Sequence, residues 1–264
     1  MSERRSLDTL CAALAYAMKI DAPECAAEAN EELVAFIDEK FGEGGVDRIF
    51  MYNPDAIAEW VYKKHPELLS EVTARSDIEI NFETVMPSVT PVCFGTMYTG
   101  AQPSVHGIRT YTKPVIKTDS LFDAMIRAGK RCAIVAELGC SMAEIYLERE
   151  MDYFIYPTIP EVNAKACELI LEDKYDLICV YNGNYDAVMH KTGTESVEAL
   201  SEMRANSFAY AEFYELIKRT WSHNTLLGFA MDHGCHDIDA GCGSHGLDME
   251  EDLHIAHLYK AITK

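Results

Sequence analysis

The sequence predicts an α/β fold, an α/β/α sandwich with a largely parallel central sheet. Six apolar runs, rich in β-branched and aromatic residues, have the length and composition of buried strands. Amphipathic helical stretches lie between these runs, and strands that alternate with helices are typical of a parallel sheet covered on both faces. The predicted strands span residues 46–53, 78–85, 131–136, 152–156, 175–182 and 225–232.

Helices are predicted before and between these strands. Residues 6–41 are rich in alanine, leucine and glutamate, with a break at 21–23 and a glycine-rich stop at 42–45. This stretch is too short to enclose a core of its own. We therefore expect residues 1–45 to form an N-terminal helical extension that packs on a main domain, residues 46–264. The other predicted helices span residues 120–129, 162–173 and 197–219.

The composition excludes several classes of partner. The 264 residues are 48% hydrophobic and 25% charged, which is ordinary for a folded globular protein. Lys and Arg number 23 and Asp and Glu number 43, so the formal net charge is −20. A surface this acidic repels phosphate backbones and anionic lipid head groups, so we expect neither nucleic acid nor a membrane as a partner. An anionic substrate would need a local positive charge, and metal ions supply one.

The cysteines and the N-terminal run bear on the location of the protein. Nine cysteines are scattered along the chain, several of them in predicted strands, which favours buried, reduced thiols over a disulfide framework. The N-terminal run MSERRSLDTLCAALAYAM has the arginines and alanines of a signal peptide. However, Asp8 and Thr9 interrupt it, and its apolar part is short and amphipathic. We expect a helix here and a cytoplasmic location.

Polar side chains follow several predicted strands, and functional groups of parallel sheets collect at the carboxyl ends of the strands. Asn53 and Asp55 come at the end of the first strand, and Asp232 and His233 come at the end of the last. Thr90 precedes a proline at a predicted helix start, where free amides and the helix dipole favour an anion. The sequence therefore predicts that acids, a histidine and a hydroxyl meet at one edge of the sheet.

Two further segments add metal-binding side chains. Asp186 and His190 have a four-residue spacing that places both side chains on one face of a helix. His245 lies in a glycine-flanked loop after the last predicted strand. Each motif alone is ordinary for a solvated helix or a turn, but their joint occurrence favours a metal site.

A structural zinc site is the alternative interpretation of the C-terminal segment. The spacing of its cysteines does not match the usual zinc-ribbon patterns, so the sequence disfavours this alternative. Its ligands would be Cys235, His236, Cys242 and His245.

In this order, the motifs resemble those of the alkaline phosphatase superfamily, and most of all its type I phosphodiesterase/nucleotide pyrophosphatase branch. The resemblance covers about residues 46–257 and implies an alkaline phosphatase-like catalytic domain. It also implies a hydrolase that acts on phosphoric ester bonds. The matching segments are MPSVTPVCFGTMYTGAQPSVHGI (86–108), DAVMH (186–190), DHG (232–234) and HG (245–246).

The resemblance implies a threonine nucleophile and a two-metal site. Thr90 would attack phosphorus and form a phosphothreonine intermediate, which water would then hydrolyse. Zn²⁺ is the favoured metal for Asp and His ligands, with Mn²⁺ or Fe as alternatives. The implied ligands are Asp186, His190 and His245 for one ion, and Asp55, Thr90, Asp232 and His233 for the other.

The chain departs from the family pattern at two positions. The family usually has Asp-Gly after its first strand, whereas this chain has Asn53-Pro54-Asp55. We favour Asp55 as the ligand because a carboxylate binds a hard cation better than an amide does, and Asn53 is the alternative. Cys93 stands where nucleotide pyrophosphatases have an asparagine that helps to hold the phosphoryl oxygen. Nucleotide specificity is therefore not implied, and no sulfatase motif is present.

The expected function is metal-dependent hydrolysis of a small-molecule phosphate ester, above all a phosphodiester. A phosphomonoesterase or a phosphonate hydrolase with the same site is the first alternative. A non-catalytic metal-binding relative is the second, motivated by Cys93 and the altered first-strand motif. We interpret His106 as a residue that shapes the turn after the nucleophile helix. The sequence does not predict the substrate-binding residues or the oligomeric state.

Overall fold

The computed structural model describes residues 4–238 and 241–264, and a mostly parallel sheet organises them. Its strand order is β1-β3-β10-β7-β2-β6-β4-β5, and β8 and β9 form a separate hairpin. The strands are β1 (Arg5–Ser6), β2 (Arg48–Pro54), β3 (Ile78–Glu83), β4 (Cys132–Glu137), β5 (Asp152–Tyr156), β6 (Leu177–Asn182), β7 (Thr225–Ala230), β8 (His236–Ile238), β9 (Cys242–Ser244) and β10 (His254–Ile262).

The direction of the strands confirms the predicted fold class. β10 runs antiparallel to both of its neighbours, β3 and β7. The other neighbouring pairs of this sheet are parallel, so all of its strands except β10 end at the same edge. Each of the six predicted strands is present, with bounds that differ by two residues or fewer. β1, β10 and the β8–β9 hairpin were not predicted.

Helices cover the sheet, and several begin at a side-chain cap. The Asn30 side chain accepts a hydrogen bond from the amide of Leu33 at 2.9 Å, and Ser196 accepts one from Ala199 at 3.0 Å. The helices are α1 (Thr9–Ala17), α2 (Glu31–Phe41), α3 (Glu59–Lys64), α4 (Ser70–Thr73), α5 (Thr90–Thr99), α6 (Pro103–His106), α7 (Leu121–Arg127), α8 (Ser141–Ile145), α9 (Ile159–Glu172), α10 (Asn184–Thr192), α11 (Val197–Thr220) and α12 (Glu250–Leu253).

The N-terminal segment is joined closely to the rest of the chain. The predicted helical stretch consists of two helices, α1 and α2, separated by the non-helical residues 18–30. β1 pairs with β3 at the edge of the central sheet, and Leu10 and Leu14 of α1 are fully buried. The segment therefore contributes to the sheet and the core, and a domain boundary at residue 45 stays a prediction.

Two further features of the structure concern its cysteines and its helices. Each of the nine cysteines is a free thiol, as the sequence predicts. Within the described residues, no helix combines the length and the apolar character that crossing a membrane requires.

Helix α5 is buried along its whole length and packs closely against His106. A Cβ atom at Gly95 would lie 2.8 Å from Cε1 of His106, so only glycine leaves room for the imidazole ring. Nδ1 of the ring accepts a hydrogen bond from the amide of Ile108 at 3.3 Å, so Nε2 donates to Oγ1 of Thr96 at 3.1 Å. Burial lowers the pKa of His106 to about 4.

His106 predicts a pH-dependent contribution to stability. Because its folded pKa lies below its unfolded value, this contribution is complete above about pH 6.5 and is lost as the pH falls toward about 4. The His106→Asn variant lacks this titration. Urea unfolding of both chains between pH 8 and pH 5 should show their difference in unfolding free energy shrinking as the pH falls. A difference that stays constant over this range would contradict the assignment.

Candidate metal centre

The candidate site lies at the edge where the parallel strands end. Asp55 follows β2, and Asp232 and His233 follow β7. Asp186 lies in the first turn of α10, which begins directly after β6. β2 pairs with both β6 and β7, so these three strand ends are neighbours although they are far apart along the chain. Thr90 begins α5 and reaches the same place.

One group of potential ligands, which we name the inner triad, consists of Asp55, Asp232 and His233. These side chains are at most 1% exposed. Nε2 of His233 lies 3.3 Å from Oδ1 of Asp55 and 3.4 Å from Oδ2 of Asp232. Potential ligand atoms of all three residues thus converge in a space closed to solvent.

A second group, the outer triad, consists of Asp186, His190 and His245. Oδ1 of Asp186 lies 3.1 Å from Nε2 of His190 and 3.3 Å from Nε2 of His245. The His190 side chain is 40% exposed and the Asp186 side chain 20%, so this triad opens to solvent. The four-residue spacing in α10 brings Asp186 and His190 together, as predicted.

The two triads adjoin each other, and Thr90 contacts the inner one. The rings of His233 and His245 have centroids 4.1 Å apart. Oγ1 of Thr90 lies 3.3 Å from Oδ2 of Asp55 and 3.3 Å from Nε2 of His233. The structure therefore brings together all seven site residues that the sequence predicts, while their roles as ligands and nucleophile stay predictions.

Backbone carbonyls orient the three histidines. In each ring Nδ1 lies within hydrogen-bond distance of a carbonyl oxygen, and because a carbonyl only accepts, Nδ1 carries the proton. The neutral ring then presents Nε2 as a ligand atom, which is the usual arrangement of histidines that bind metal. The contacts are His233 with Gly234 at 2.9 Å, His190 with Gly243 at 3.0 Å and His245 with Ser88 at 3.0 Å.

The carboxylates of the inner triad are held by one oxygen and free at the other. Oδ1 of Asp232 accepts hydrogen bonds from the amides of Ala56 at 3.1 Å and His233 at 2.9 Å. Oδ2 of Asp55 accepts them from the hydroxyls of Tyr181 and Thr90. Oδ2 of Asp232 and Oδ1 of Asp55 are buried without a hydrogen-bond partner.

Oδ1 of Asp186 in the outer triad is likewise buried and has no hydrogen-bond partner. Burying such oxygens without a partner is costly. A divalent cation in each triad would satisfy them, so the residues present fit two metal ions.

The pKa shifts of the site residues also fit the binding of cations. Burial, together with the charges of Asp232 and Asp186, raises the pKa of Asp55 well above its usual value. Burial raises the pKa of Asp232 to about 8 and lowers the pKa of His233 to about 3. The neighbouring carboxylate of Asp186 raises the pKa of His190 to about 9. A cation that bound here would displace protons and favour the ionised carboxylates.

The alternative first-strand residue, Asn53, lies outside both triads. Its Nδ2 donates hydrogen bonds to the carbonyls of Met51 and Val180, each at 3.1 Å. Its Oδ1 accepts one from the hydroxyl of Tyr98 at 2.8 Å. Asn53 is fully buried, and these contacts give it a structural role.

Cys93 and the alternative zinc site are also explained by their contacts. Cys93 is buried, its sulfur lies 3.2 Å from the Thr84 hydroxyl, and burial raises the pKa of its thiol. His236 pairs with Asp252 at 2.7 Å, while His245 belongs to the outer triad. Among the described residues, the four proposed zinc ligands therefore do not form a common cluster.

Sequence reasoning missed Tyr181, whose hydroxyl donates to Asp55. Tyr181 lies in the apolar run that becomes β6, where a tyrosine is typical of a strand. Its position one residue before the strand end was the available signal, because functional side chains gather there. The carbonyls that orient the histidines left no signal in the sequence, since every residue has one.

The fold and the site together define an α/β protein with paired Asp/His triads. Its structure is similar to murine ectonucleotide pyrophosphatase/phosphodiesterase 5, with a TM-score of 0.62 and 17% identity over 73% of this chain and 58% of that one. It is also similar to an inactive variant of that murine protein in complex with AMP, with a TM-score of 0.57 and 16% identity over 74% of this chain and 59% of that one. A third similar structure is phosphonoacetate hydrolase from Sinorhizobium meliloti in complex with phosphonoacetate, with a TM-score of 0.53 and 18% identity over 74% of this chain and 59% of that one.

These comparisons confirm the predicted alkaline phosphatase-like fold. The identities are below one fifth, so the likeness is one of fold. The chain spans 58–59% of the length of these structures. No protein-family model and no curated protein matches the sequence.

The contacts of Asp55 and Asn53 predict opposite effects of their substitution. Asp55→Asn removes an inner-triad carboxylate and should weaken Zn²⁺ binding at least ~10-fold, because even the outer partners of metal ligands contribute ~10–100-fold. Asn53→Ala leaves the buried Tyr98 hydroxyl unpaired and should lower the free energy of unfolding by ~1–3 kcal/mol with unchanged Zn²⁺ affinity. Competition with a chromophoric chelator and urea unfolding in EDTA measure the two effects. The reverse pattern would make Asn53 the ligand.

Proposed function

We propose that the protein hydrolyses phosphoric esters, above all phosphodiesters, with Thr90 as the nucleophile and two divalent metal ions at the triads. The observation that carries this proposal is the position of Thr90, whose hydroxyl contacts Asp55 and His233 where the two triads adjoin. The shared fold with a phosphodiesterase and a phosphonate hydrolase supports it. Zn²⁺ is the favoured metal, because the triads contain only Asp and His.

The backbone at the start of α5 contributes less than the sequence suggests. Pro91 has no amide proton, and the amides of Val92 and Cys93 donate to the carbonyl of Val89, each at 3.0 Å. The free amides expected to bind an anion at this helix start are therefore mostly used by the helix itself. Binding of a phosphoryl group would depend on cations at the triads.

Thr90 would perform the first step of the reaction. Bound divalent cations would polarise the ester oxygens and supply positive charge for an anionic substrate. The Thr90 hydroxyl would lose its proton, and its Oγ1 would form a bond to phosphorus as the bond to the leaving oxygen breaks in line. The leaving alcohol takes up a proton from solvent in exchange for the one that Thr90 releases, and a phosphothreonine remains on Thr90. Water would then cleave this ester and restore the hydroxyl.

The water for the second step would enter through the outer triad. His190 is 40% exposed there, whereas His233 on the inner side has no exposed surface. The leaving alcohol would depart by the same opening. This asymmetry supports a site in which Thr90 is held on the dry side and solvent reaches the substrate from the other.

The charge of the site supports a phosphodiester over a phosphomonoester. The ion pairs that the triad carboxylates make are with histidines. Three carboxylates and two divalent cations would leave a single positive charge when the histidines are neutral. That charge balances the monoanion of a diester, while a monoester dianion would need a further cationic side chain.

A phosphonate is the second candidate substrate. The observation that favours it is the shared fold with a hydrolase whose structure contains phosphonoacetate. The same nucleophile and metal ions would serve both reactions. A cytoplasmic location stays a prediction.

Rates with three substrates test the proposed preference. Zinc-loaded protein would be given a nitrophenyl phosphodiester, a nitrophenyl phosphomonoester and phosphonoacetate in parallel. A diester rate well above the other two is expected. Preference for the monoester or for phosphonoacetate would assign the alternative activity. No turnover of any of them would favour the non-catalytic relative.

The nucleophile has its own test. Thr90→Ala should lower kcat for the diester by on the order of 10³-fold or more, as the loss of a covalent nucleophile does in other hydrolases. Most metal ligands remain, so Zn²⁺ should stay bound. Thr99→Ala is the matched control, because Thr99 lies at the other end of α5 and its hydroxyl donates to the carbonyl of Gly95. Comparable turnover by Thr90→Ala and Thr99→Ala would refute the covalent mechanism.

A further inference from the structure

We propose that Tyr181 is a positioning residue of the metal centre, whose hydroxyl holds Asp55 in the orientation that presents its free oxygen to the inner ion. This inference rests on the proposed function, which makes Asp55 a metal ligand. Tyr181 belongs to none of the motifs that predict the site. Its role follows from contacts at the end of β6.

The end of β6 holds Asp55 by both its main chain and its side chain. The Asp55 amide donates a hydrogen bond to the carbonyl of Asn182 at 2.9 Å. The Tyr181 hydroxyl donates to Oδ2 of Asp55. With Oδ2 engaged, Oδ1 faces Nε2 of His233 at 3.3 Å. A carboxylate fixed in this way cannot rotate to exchange its two oxygens without losing the hydrogen bond.

The tyrosine ring is itself held in place. It is 7% exposed, and Phe94 of the nucleophile helix packs against it at 5.8 Å between ring centroids, in an edge-on arrangement. On another side lies Gly183, where a Cβ atom would be 2.7 Å from the Tyr181 hydroxyl. Glycine is needed here for space, because any other residue would push the hydroxyl away from Asp55. Buried groups that fix a metal ligand in this way are worth ~10–100-fold in affinity.

Tyr181 supplies the hydrogen bond that remains when Thr90 reacts. Oδ2 of Asp55 has two hydroxyl donors, Tyr181 and Thr90. On the proposed mechanism Thr90 gives up its proton, and its bond to Asp55 is then lost. A neutral hydroxyl also stabilises the carboxylate without adding a charge to the centre. The Tyr181 hydroxyl would therefore keep Asp55 in place through both steps.

A matched control exists just before the other end of the same strand. Tyr175 is buried, and its hydroxyl donates to Oδ2 of Asp152 at 2.7 Å. Tyr175→Phe and Tyr181→Phe thus each remove a hydroxyl that donates to an aspartate, but only Tyr181 is near the triads. If the Tyr181 hydroxyl were merely structural, both variants would bind metal like the native chain and would differ only in stability.

The test measures Zn²⁺ affinity by competition with a chromophoric chelator, and stability in EDTA by urea unfolding. Tyr181→Phe should bind one of the two Zn²⁺ ions ~10–100-fold more weakly than the native chain does, while Tyr175→Phe should match the native chain. Both variants should remain folded in EDTA. Equal Zn²⁺ affinities of Tyr181→Phe and Tyr175→Phe would overturn the inference.

Gly183→Ala provides a second route to the same result. Its added Cβ displaces the hydroxyl without removing it, so Zn²⁺ affinity should fall in the same direction. The variant that combines Gly183→Ala and Tyr181→Phe should lose less affinity than the product of the single losses, because both act through one hydrogen bond. Fully multiplicative losses would overturn the inference. A native chain that binds no Zn²⁺ would instead refute the proposed function, and this inference with it.

Discussion

The repulsion between buried carboxylates is the constraint on which the site depends. Asp55 and Asp232 are closed to solvent, and Asp186 lies near enough to raise the pKa of both. Charges this close cannot all ionise in a poorly solvated space without compensation, and among the described residues their ion-pair partners are histidines. With ions bound through Nε2, the histidines would be neutral ligands and would add no compensating charge. The pair of divalent cations that we propose would resolve the conflict by satisfying the free carboxylate oxygens.

The order of the strands in the sheet brings the three acidic residues close together. β2 lies between β6 and β7, so the residues after three separate strands meet without any long loop that would have to be ordered. Backbone groups then fix the side chains, as the amides of Ala56 and His233 do for Asp232. A ligand held from a rigid strand end is precise at little further entropic cost. The antiparallel β10 extends the sheet beyond β7 and leaves the strand ends of the site unchanged.

The sequence predicts the strands that are buried on both faces and the residues with recognisable chemistry. It does not predict the features that depend on which strands pair with each other. β2, β6 and β7 are continuous apolar runs, a pattern that parallel strands share. β10 contains two histidines and a lysine, and its partner β3 lies more than a hundred residues away, so no local pattern marks it. The choice between Asn53 and Asp55 likewise depends on which residue passes beyond the strand end. The hydrogen bond between Tyr181 and Asp55 depends on the register between β2 and β6, which cannot be predicted from either segment alone.

The unequal exposure of the triads gives the proposed reaction a direction. An in-line displacement needs the nucleophile and the leaving group on opposite sides of phosphorus. Thr90 is 3% exposed and contacts the inner triad, which leaves only the outer triad, with its half-exposed His190, as the side from which an alcohol departs and water arrives. The inner triad must therefore keep its geometry while the substrate changes, and the hydrogen bonds on Asp55 and Asp232 supply that rigidity. The outer triad, which opens to solvent, would hold its ion on the side where water arrives.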